Sequence, residues 1–252
     1  MNANSSPSAN PQPVTGRQRD FVIAADRIIL GISRHWLFYL NLLVLLYVGV
    51  PFLAPVFMKL GVTGPAQVIY TFYSALCHQL GFRSWYLFGE LPNYPRAVFQ
   101  QYTGIDPNNP QTGLILARQF IGNAQVGWKV AFCERDVAIY GAVLLGGIIY
   151  TIPGVRQRLG PMPWLAYVLI GVAPIALDGF SQLLSQYPYN LIPPFNFLPY
   201  RESTATFRTL TGALFGLSNA WLALPYLKLS LEEVRSELER KLGKVDARAA
   251  AA

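Results

Sequence analysis

Two cysteines are the only thiols in this 252-residue chain, and each lies in a short run of side chains that can bind a metal ion. Cys77 is followed directly by His78, and Cys133 lies three residues before Asp136. Zinc and iron both accept donor sets in which thiolates are combined with imidazole or carboxylate. These four side chains therefore predict a zinc or iron site.

The spacing within each pair decides how such a site can form. Cys133 and Asp136 are three residues apart, so on a helix they share one face. Neighbours such as Cys77 and His78 point about 100° apart on a helix, so both reach one ion only where the helix is broken. Gly81 favours such a break. A disulfide between the two cysteines, or two packed thiols, would account for the same residues, and these alternatives stay open.

Further polar candidates lie beside these motifs or at the ends of apolar windows. Arg83 and Arg135 follow the two cysteine motifs, where a guanidinium can hold a thiolate, pair with Glu134 or Asp136, or bind a lipid phosphate. Asp178 ends an apolar window, a position where a carboxylate needs a partner or water. Arg208, near the start of the next window, is its predicted ion-pair partner, and a proton-relay or substrate role of Asp178 in a transporter is the alternative. The remaining candidates are Gln79 and Gln182.

Long apolar windows must position these residues. The chain is 52% hydrophobic and 13% charged, whereas about a quarter of the residues of a soluble domain are charged. Four windows without Lys, Arg, Asp or Glu are long enough to cross a bilayer core, which takes about 20 helical residues. They are residues 36–58, 137–155, 159–177 and 209–227. The stretch 60–82 also lacks charge but carries Thr, Gln, Ser and His, which predicts a partial or re-entrant helix.

The windows predict an all-α, polytopic membrane protein with four spans, one partial helix and an amphipathic C-terminal helix. Residues 1–16 are predicted to be a disordered tail, because Pro, Ser, Asn and Gln bury too little apolar area to offset chain entropy. The other predicted regions are an interfacial amphipathic helix at 17–34, a membrane domain at 35–227 with a long outer loop at 83–131, and a cytoplasmic amphipathic helix and tail at 228–252.

Basic residues flank the apolar windows and do not form one patch. Despite a net charge of +7, this distribution argues against nucleic acid as a partner. The basic groups are found in 17–34, at Arg156 and Arg158, and in 228–248. The positive-inside rule places such groups in the cytoplasm. The expectation is a multi-pass protein of the inner or plasma membrane, in contact with lipid, with both termini cytoplasmic and the cysteines outside.

Two glycines in the last window suggest close helix packing. Gly212 and Gly216 are four residues apart and form a small-residue face on which another helix can pack. This face, the proline-rich outer loops and the C-terminal helix support a second hypothesis. In it, the protein is an accessory structural subunit of a larger membrane complex, with other membrane subunits as partners.

The ordered motifs resemble a bacterial and archaeal family of predicted integral membrane proteins, the domain of unknown function numbered two thousand and eighty-five. The motifs that carry the resemblance are Cys77-His78-Gln79, Arg83-Ser84 with Gly89, Cys133-x-Arg135 leading to Tyr140-Gly141, Leu177-Asp178-Gly179 with Gln182, and Arg208-x-x-Thr211-Gly212. They cover about residues 70–225. The family pattern has a second cysteine where this chain has Asp136, and 90–132 looks like an insertion. The family has no established activity, so the resemblance implies membrane architecture and leaves the reaction open.

Overall fold

A computed structural model of the protein describes residues 16–186 and 189–250. The predicted tail therefore lies outside the described residues except for Gly16. Contacts divide the chain into two compact units, one formed by Leu37–Leu227 and the other by the chain before and after it. The helices are α1 (Arg17–Arg34), α2 (Trp36–Lys59), α3 (Thr63–Ser74), α4 (Arg96–Thr103), α5 (Gly113–Gln119), α6 (Glu134–Tyr150), α7 (Pro153–Arg158), α8 (Trp164–Ala166), α9 (Ala173–Leu184) and α10 (Ala205–Ala250).

Two helices of the described chain are long and apolar enough to cross a membrane. The first is α2, which matches the first predicted window closely. The second is Trp164–Leu184, in which α8 and α9 are joined by π-helical turns at Tyr167–Val172. This helix begins five residues later than the predicted window 159–177, because Pro161 and Pro163 precede it.

The four-span prediction is not confirmed by these helices. The window 137–155 is covered by α6, which has 17 residues and ends at Tyr150, shortly before Pro153. The window 209–227 lies within α10, where Ser218 and Asn219 interrupt the apolar sequence. Length and composition therefore leave two candidate spans among the described residues.

The stretch 60–82 contains a short helix followed by irregular chain. Helix α3 has 12 residues, or about 18 Å at 1.5 Å per residue. This is shorter than the roughly 30 Å of a hydrocarbon core. The helix ends at Ser74, and Gln79 adopts a left-handed backbone conformation with φ of 49°. The expected break around Cys77 and His78 is therefore present.

The segment predicted as a long outer loop contains a small sheet, so the all-α description is incomplete. Strands β1 (Ser84–Leu87), β2 (Gly122–Asn123) and β3 (Gly127–Cys133) form an antiparallel sheet in the order β1-β3-β2. In its centre, Tyr86 pairs with Lys129. Strand β3 was not predicted from the sequence because four of its consecutive residues are buried. Such burial removes the polar–apolar alternation that identifies a strand.

Two apolar clusters support this sheet and connect it to the helices. One contains Phe82, Tyr86 and Phe99 and lies within the segment that follows α3. The other brings Tyr70 and Tyr73 of α3 against Phe132 of β3, with side chains of α2 and α6 around them. Because β3 ends at Cys133 and α6 begins at Glu134, the last residue of β3 is also the N-cap of α6.

The second unit consists of α1 and the charged half of α10. Ion pairs join the two helices: Arg27 with Asp246, Arg34 with Glu239, and Lys241 with Asp26. The first two pairs are exposed, and such pairs contribute about 0–1 kcal/mol each, whereas Asp26 of the third pair is buried. Apolar side chains of α1, including Phe21 and Ile28, remain exposed.

Candidate functional site

Three of the four predicted metal ligands lie together. One ligand atom each from Cys77, Cys133 and Asp136 falls within 4.8 Å of the other two. Both cysteines are free. The Cys133 thiol donates to Asp136 Oδ2 over 3.2 Å, and the backbone N–H of Cys133 donates to Cys77 Sγ over 3.3 Å. The fourth predicted ligand, His78, is exposed and is not part of this cluster.

The start of α6 positions Cys133 and Asp136. Cys133 is the N-cap of α6, and its Sγ accepts a hydrogen bond from the backbone N–H of Asp136. A side chain at the N-cap meets the third residue of the helix because the helix leaves its first N–H groups unpaired. The three-residue spacing therefore brings sulfur and carboxylate together. A side-chain hydrogen bond with Cys77 and, second, burial raise the pKa of the Cys133 thiol well above its usual value.

Gln79 holds the turn that carries Cys77. Its side-chain amide is buried and donates to the carbonyl oxygens of Tyr70 and Ala131, at 3.0 and 2.9 Å. These bonds tie the irregular chain after α3 to both α3 and β3. The predicted candidate Gln79 is thus placed next to the cluster as a positioning residue.

A buried lysine that the sequence reasoning missed supports the same turn. Lys129 of β3 is 1% exposed, and its Nζ donates to the carbonyl oxygens of Gln79 and Arg118. Burial lowers the pKa of Lys129 to about 7, and the nearby Cys77 acts in the opposite direction by raising that pKa. The one signal for it in the sequence is a lone charge within the otherwise apolar strand Gly127–Cys133.

The cluster opens onto a cleft of about 360 Å³, here called the cysteine cleft. It is lined by most of the polar side chains predicted from sequence. They are Cys77, His78, Gln79, Arg83, Cys133, Arg135, Asp136, Gln182 and Arg208. Residues from the turn after α3, the end of β3, α6, α9 and α10 thus converge, although 131 positions separate Cys77 from Arg208 in the chain.

Asp178 is not among the residues that line the cleft. It does not pair with Arg208, so that predicted ion pair is wrong. Asp178 is 5% exposed and accepts from Arg135, Arg201 and Ser203. The N-terminus of α6 lies between α9 and α10 and supplies Arg135 to the aspartate. Arg201, in the chain leading to α10, provides the second cation.

Arg208 instead joins two glutamates. It is 4% exposed and contacts Glu134 at 2.6 Å and Glu202 at 2.7 Å. Glu202 also binds Arg83 at 2.7 Å and Arg96 at 3.1 Å. Burial opposes ionisation of Glu202, but these arginines, Arg83 foremost, hold its pKa below the usual value. Glu134 occupies the unspecified position of the Cys133-x-Arg135 motif and is a possible arginine partner from sequence, whereas Glu202 lies in no recognisable motif and was missed.

The predicted glycine face packs within the same chain. A Cβ on Gly216 would overlap the carbonyl oxygen of Ile139, and one on Gly212 would lie 2.9 Å from the carbonyl oxygen of Arg135. Both oxygens belong to α6. This close approach brings the ends of α6 and α10 together, where Glu134 meets Arg208.

These features describe a mostly helical protein with membrane-length apolar helices and a polar cleft. Residues 120–222 match the model of a family described as a predicted membrane protein (DUF2085), which confirms the resemblance seen in the motifs. An uncharacterized protein of Methanocaldococcus jannaschii is 27% identical over 199 residues, covering 77% of this chain and 92% of that relative. No solved structure matches the chain.

Proposed function

We propose that this membrane protein holds one metal ion, zinc or iron, with Cys77, Cys133 and Asp136 as ligands. The observation that carries the proposal is the clustering of two sulfurs and a carboxylate oxygen within 4.8 Å. In a tetrahedral zinc site, bond lengths of about 2.0–2.3 Å put neighbouring ligand atoms roughly 3.5–3.8 Å apart. Small rotations of these side chains therefore satisfy the geometry.

Three protein ligands leave a fourth position for water, substrate or His78. His78 lines the cysteine cleft, so its exposed imidazole is within the same space. Structural zinc sites are usually closed by four protein ligands, whereas reactive sites keep an open position. A metal ion with an open position supplies Lewis acidity and an activated water. The cleft provides room for a ligand beside it.

The charge of the surroundings suits this donor set. Two thiolates and a carboxylate around a divalent ion leave one net negative charge. Arg83, Arg135 and Arg208 line the same cleft and offset it. The raised pKa of the Cys133 thiol means that an ion must displace a proton to bind, so uptake should weaken as the pH falls.

Elemental analysis of tag-free, detergent-purified protein tests the proposal. We expect near-stoichiometric zinc or iron in the unmodified protein, and loss of most of it in Cys133→Ala and Asp136→Asn. Asp20→Asn, an exposed site on α1, is the matched control and should retain the metal. Absence of metal from the unmodified protein, with a mass two units lower than that of the reduced chain, would instead establish a disulfide.

A second candidate function is that of an accessory subunit in a membrane complex. The observation that favours it is a group of exposed apolar side chains in the short helical turns after residue 188, outside both candidate spans. Leu191 and Phe197 are 66% and 74% exposed. Co-purification of a defined partner in mild detergent, abolished by Leu191→Ser with Phe197→Ser, would support this function.

The proposed topology has four crossings, formed by α2, α6, the helix 164–184 and the first half of α10. Both termini then lie in the cytoplasm, with α1 on the inner membrane surface and α3 as a re-entrant helix. The basic clusters at 17–34, 156–158 and 228–248 support this arrangement. Labelling of single cysteines placed at 158 and 108 with an impermeant reagent tests it, since only position 108 should react from outside.

A further inference from the structure

The cysteine cleft has a cationic wall. Three arginines, Arg83, Arg135 and Arg208, are among its lining residues. Asp136 is the only acidic residue among the described lining residues. The wall therefore attracts negative charge even though the thiols lie beside it.

Carboxylates behind the wall fix the arginines in place. Arg135 is held by Asp178, and Arg208 is held by Glu134 and Glu202. Among the described residues, five arginines share three carboxylates in two ion-pair networks, which leaves two positive charges in excess, or one when Asp136 is included. One network contains Arg83, Arg96, Arg208, Glu134 and Glu202, and the other contains Arg135, Arg201 and Asp178. Guanidinium groups ordered in advance lose little entropy when a ligand binds.

Two of the three arginines that line the cleft keep unused donors. Arg208 is 4% exposed, yet its Nε–H has no hydrogen-bond partner. The Nε–H of Arg135 is also buried and unpartnered. Buried donors are nearly always satisfied, because an unpaired donor has lost its water without replacement. Both Nε atoms are enclosed by protein, so they become available to an anion only when the guanidinium groups turn towards the cleft.

We propose that the cysteine cleft binds a phosphate group, either as inorganic phosphate or as the headgroup of an anionic phospholipid. Phosphate oxygens match the planar fork of arginine and accept from several guanidinium groups at once. A cleft of about 360 Å³ is large enough for such a group. Exposed Leu76 and Leu183 also line it, which suits a headgroup entering from the membrane boundary. The site goes beyond the proposed metal centre, because it requires the arginines and not the ion.

Equilibrium binding of radiolabelled inorganic phosphate to the full-length, chelator-treated protein in detergent tests the proposal. We expect one saturable site per chain, weakened about 10-fold or more in Arg135→Gln through loss of a charge-assisted hydrogen bond. Asp178 keeps Arg201 and Ser203 in this variant, so the fold should persist. Arg135→Lys keeps the charge but loses the fork, and should bind with intermediate strength.

Arg158→Gln, an exposed site outside the cleft, is the matched control and should bind phosphate as the unmodified protein does. Competition by micelles containing phosphatidylglycerol, but not phosphatidylcholine, would identify the headgroup as the source. Cys133→Ala should lose metal and retain phosphate, which separates the two proposals. No Arg135-dependent binding of phosphate or phosphatidylglycerol, or loss of phosphate binding in Cys133→Ala, would overturn the inference.

Discussion

Lys129 Nζ donates a hydrogen bond to the carbonyl oxygen of Gln79 over 2.8 Å, and both residues are buried. Gln79 adopts a left-handed conformation two residues after Cys77. The same amine reaches the carbonyl oxygen of Arg118. The hydrogen bonds of this buried lysine therefore stabilise the turn that places Cys77 beside Cys133.

This lysine makes stability depend on pH. Burial lowers the pKa of Lys129 to about 7 in the folded protein, whereas an exposed lysine titrates at roughly 10.4. Between these values the unfolded chain binds more protons, so the free energy of unfolding rises with pH. Between pH 7 and 10 we expect Lys129 to contribute a rise in stability of at most about 1.4 kcal/mol per pH unit, while the raised pKa of the Cys133 thiol acts in the opposite direction above about pH 8.5.

The variant Lys129→Met isolates this contribution. The difference in stability between Lys129→Met and the unmodified protein should change across that pH range and level off below about pH 7. Lys244→Met, at an exposed position of α10, controls for loss of an ordinary lysine and should keep the original slope. Parallel pH profiles for Lys129→Met and the unmodified protein would contradict the argument. The titratable neighbours Cys77 and Arg118 are present in both proteins, so they do not account for a difference between the profiles.

Removing Arg208 should destabilise the protein strongly. Arg208→Gln leaves Glu134, which is 1% exposed, without its cation. Breaking a buried pair on one side costs about 3–5 kcal/mol. Chemical denaturation in detergent micelles measures the change, and Arg158→Gln at an exposed site should shift stability by less than about 0.5 kcal/mol.

The double variant Glu134→Gln with Arg208→Gln distinguishes an uncompensated charge from lost packing. It removes both charges, so it should be more stable than Arg208→Gln alone. Equal destabilisation in the single and double variants would show that the ion pair is not the cause.

Gly216 should not tolerate a side chain. A Cβ there would overlap the carbonyl oxygen of Ile139 in α6, and overpacking of this kind costs about 1–3 kcal/mol. Gly141, on α6 itself, has nothing within 4 Å of its Cβ position, so Gly141→Ala should be neutral or stabilising by up to about 1 kcal/mol. Thermal unfolding of the two variants compares them directly, and equal melting temperatures would refute close packing of α10 on α6.

Local spacing predicted the parts of the site that one element builds. The three-residue interval is enough to bring Cys133, the N-cap of α6, against Asp136 in the first turn of that helix. Likewise, the absence of charge in 36–58 anticipates α2. In these cases, periodicity and composition contain the whole explanation.

Contacts between distant elements could not be predicted in this way. The pairing of Asp178 with Arg135 and Arg201 follows from where α6 meets α9, and the sequence does not encode that meeting locally. The approach of Cys77 to Cys133 depends on the bonds of Gln79 to α3 and β3. Strand β3 could not be recognised because its continuous burial removes the alternation of polar and apolar residues.

X-ray absorption at the zinc edge, recorded on the zinc-loaded, tag-free protein, tests the proposed metal centre most directly. The account predicts two sulfur ligands at about 2.3 Å and two lighter ligands at about 2.0–2.2 Å, and loss of this signal in Cys133→Ala, which should bind little zinc. A spectrum with no sulfur in the first coordination shell, or one unchanged in Cys133→Ala, would contradict it.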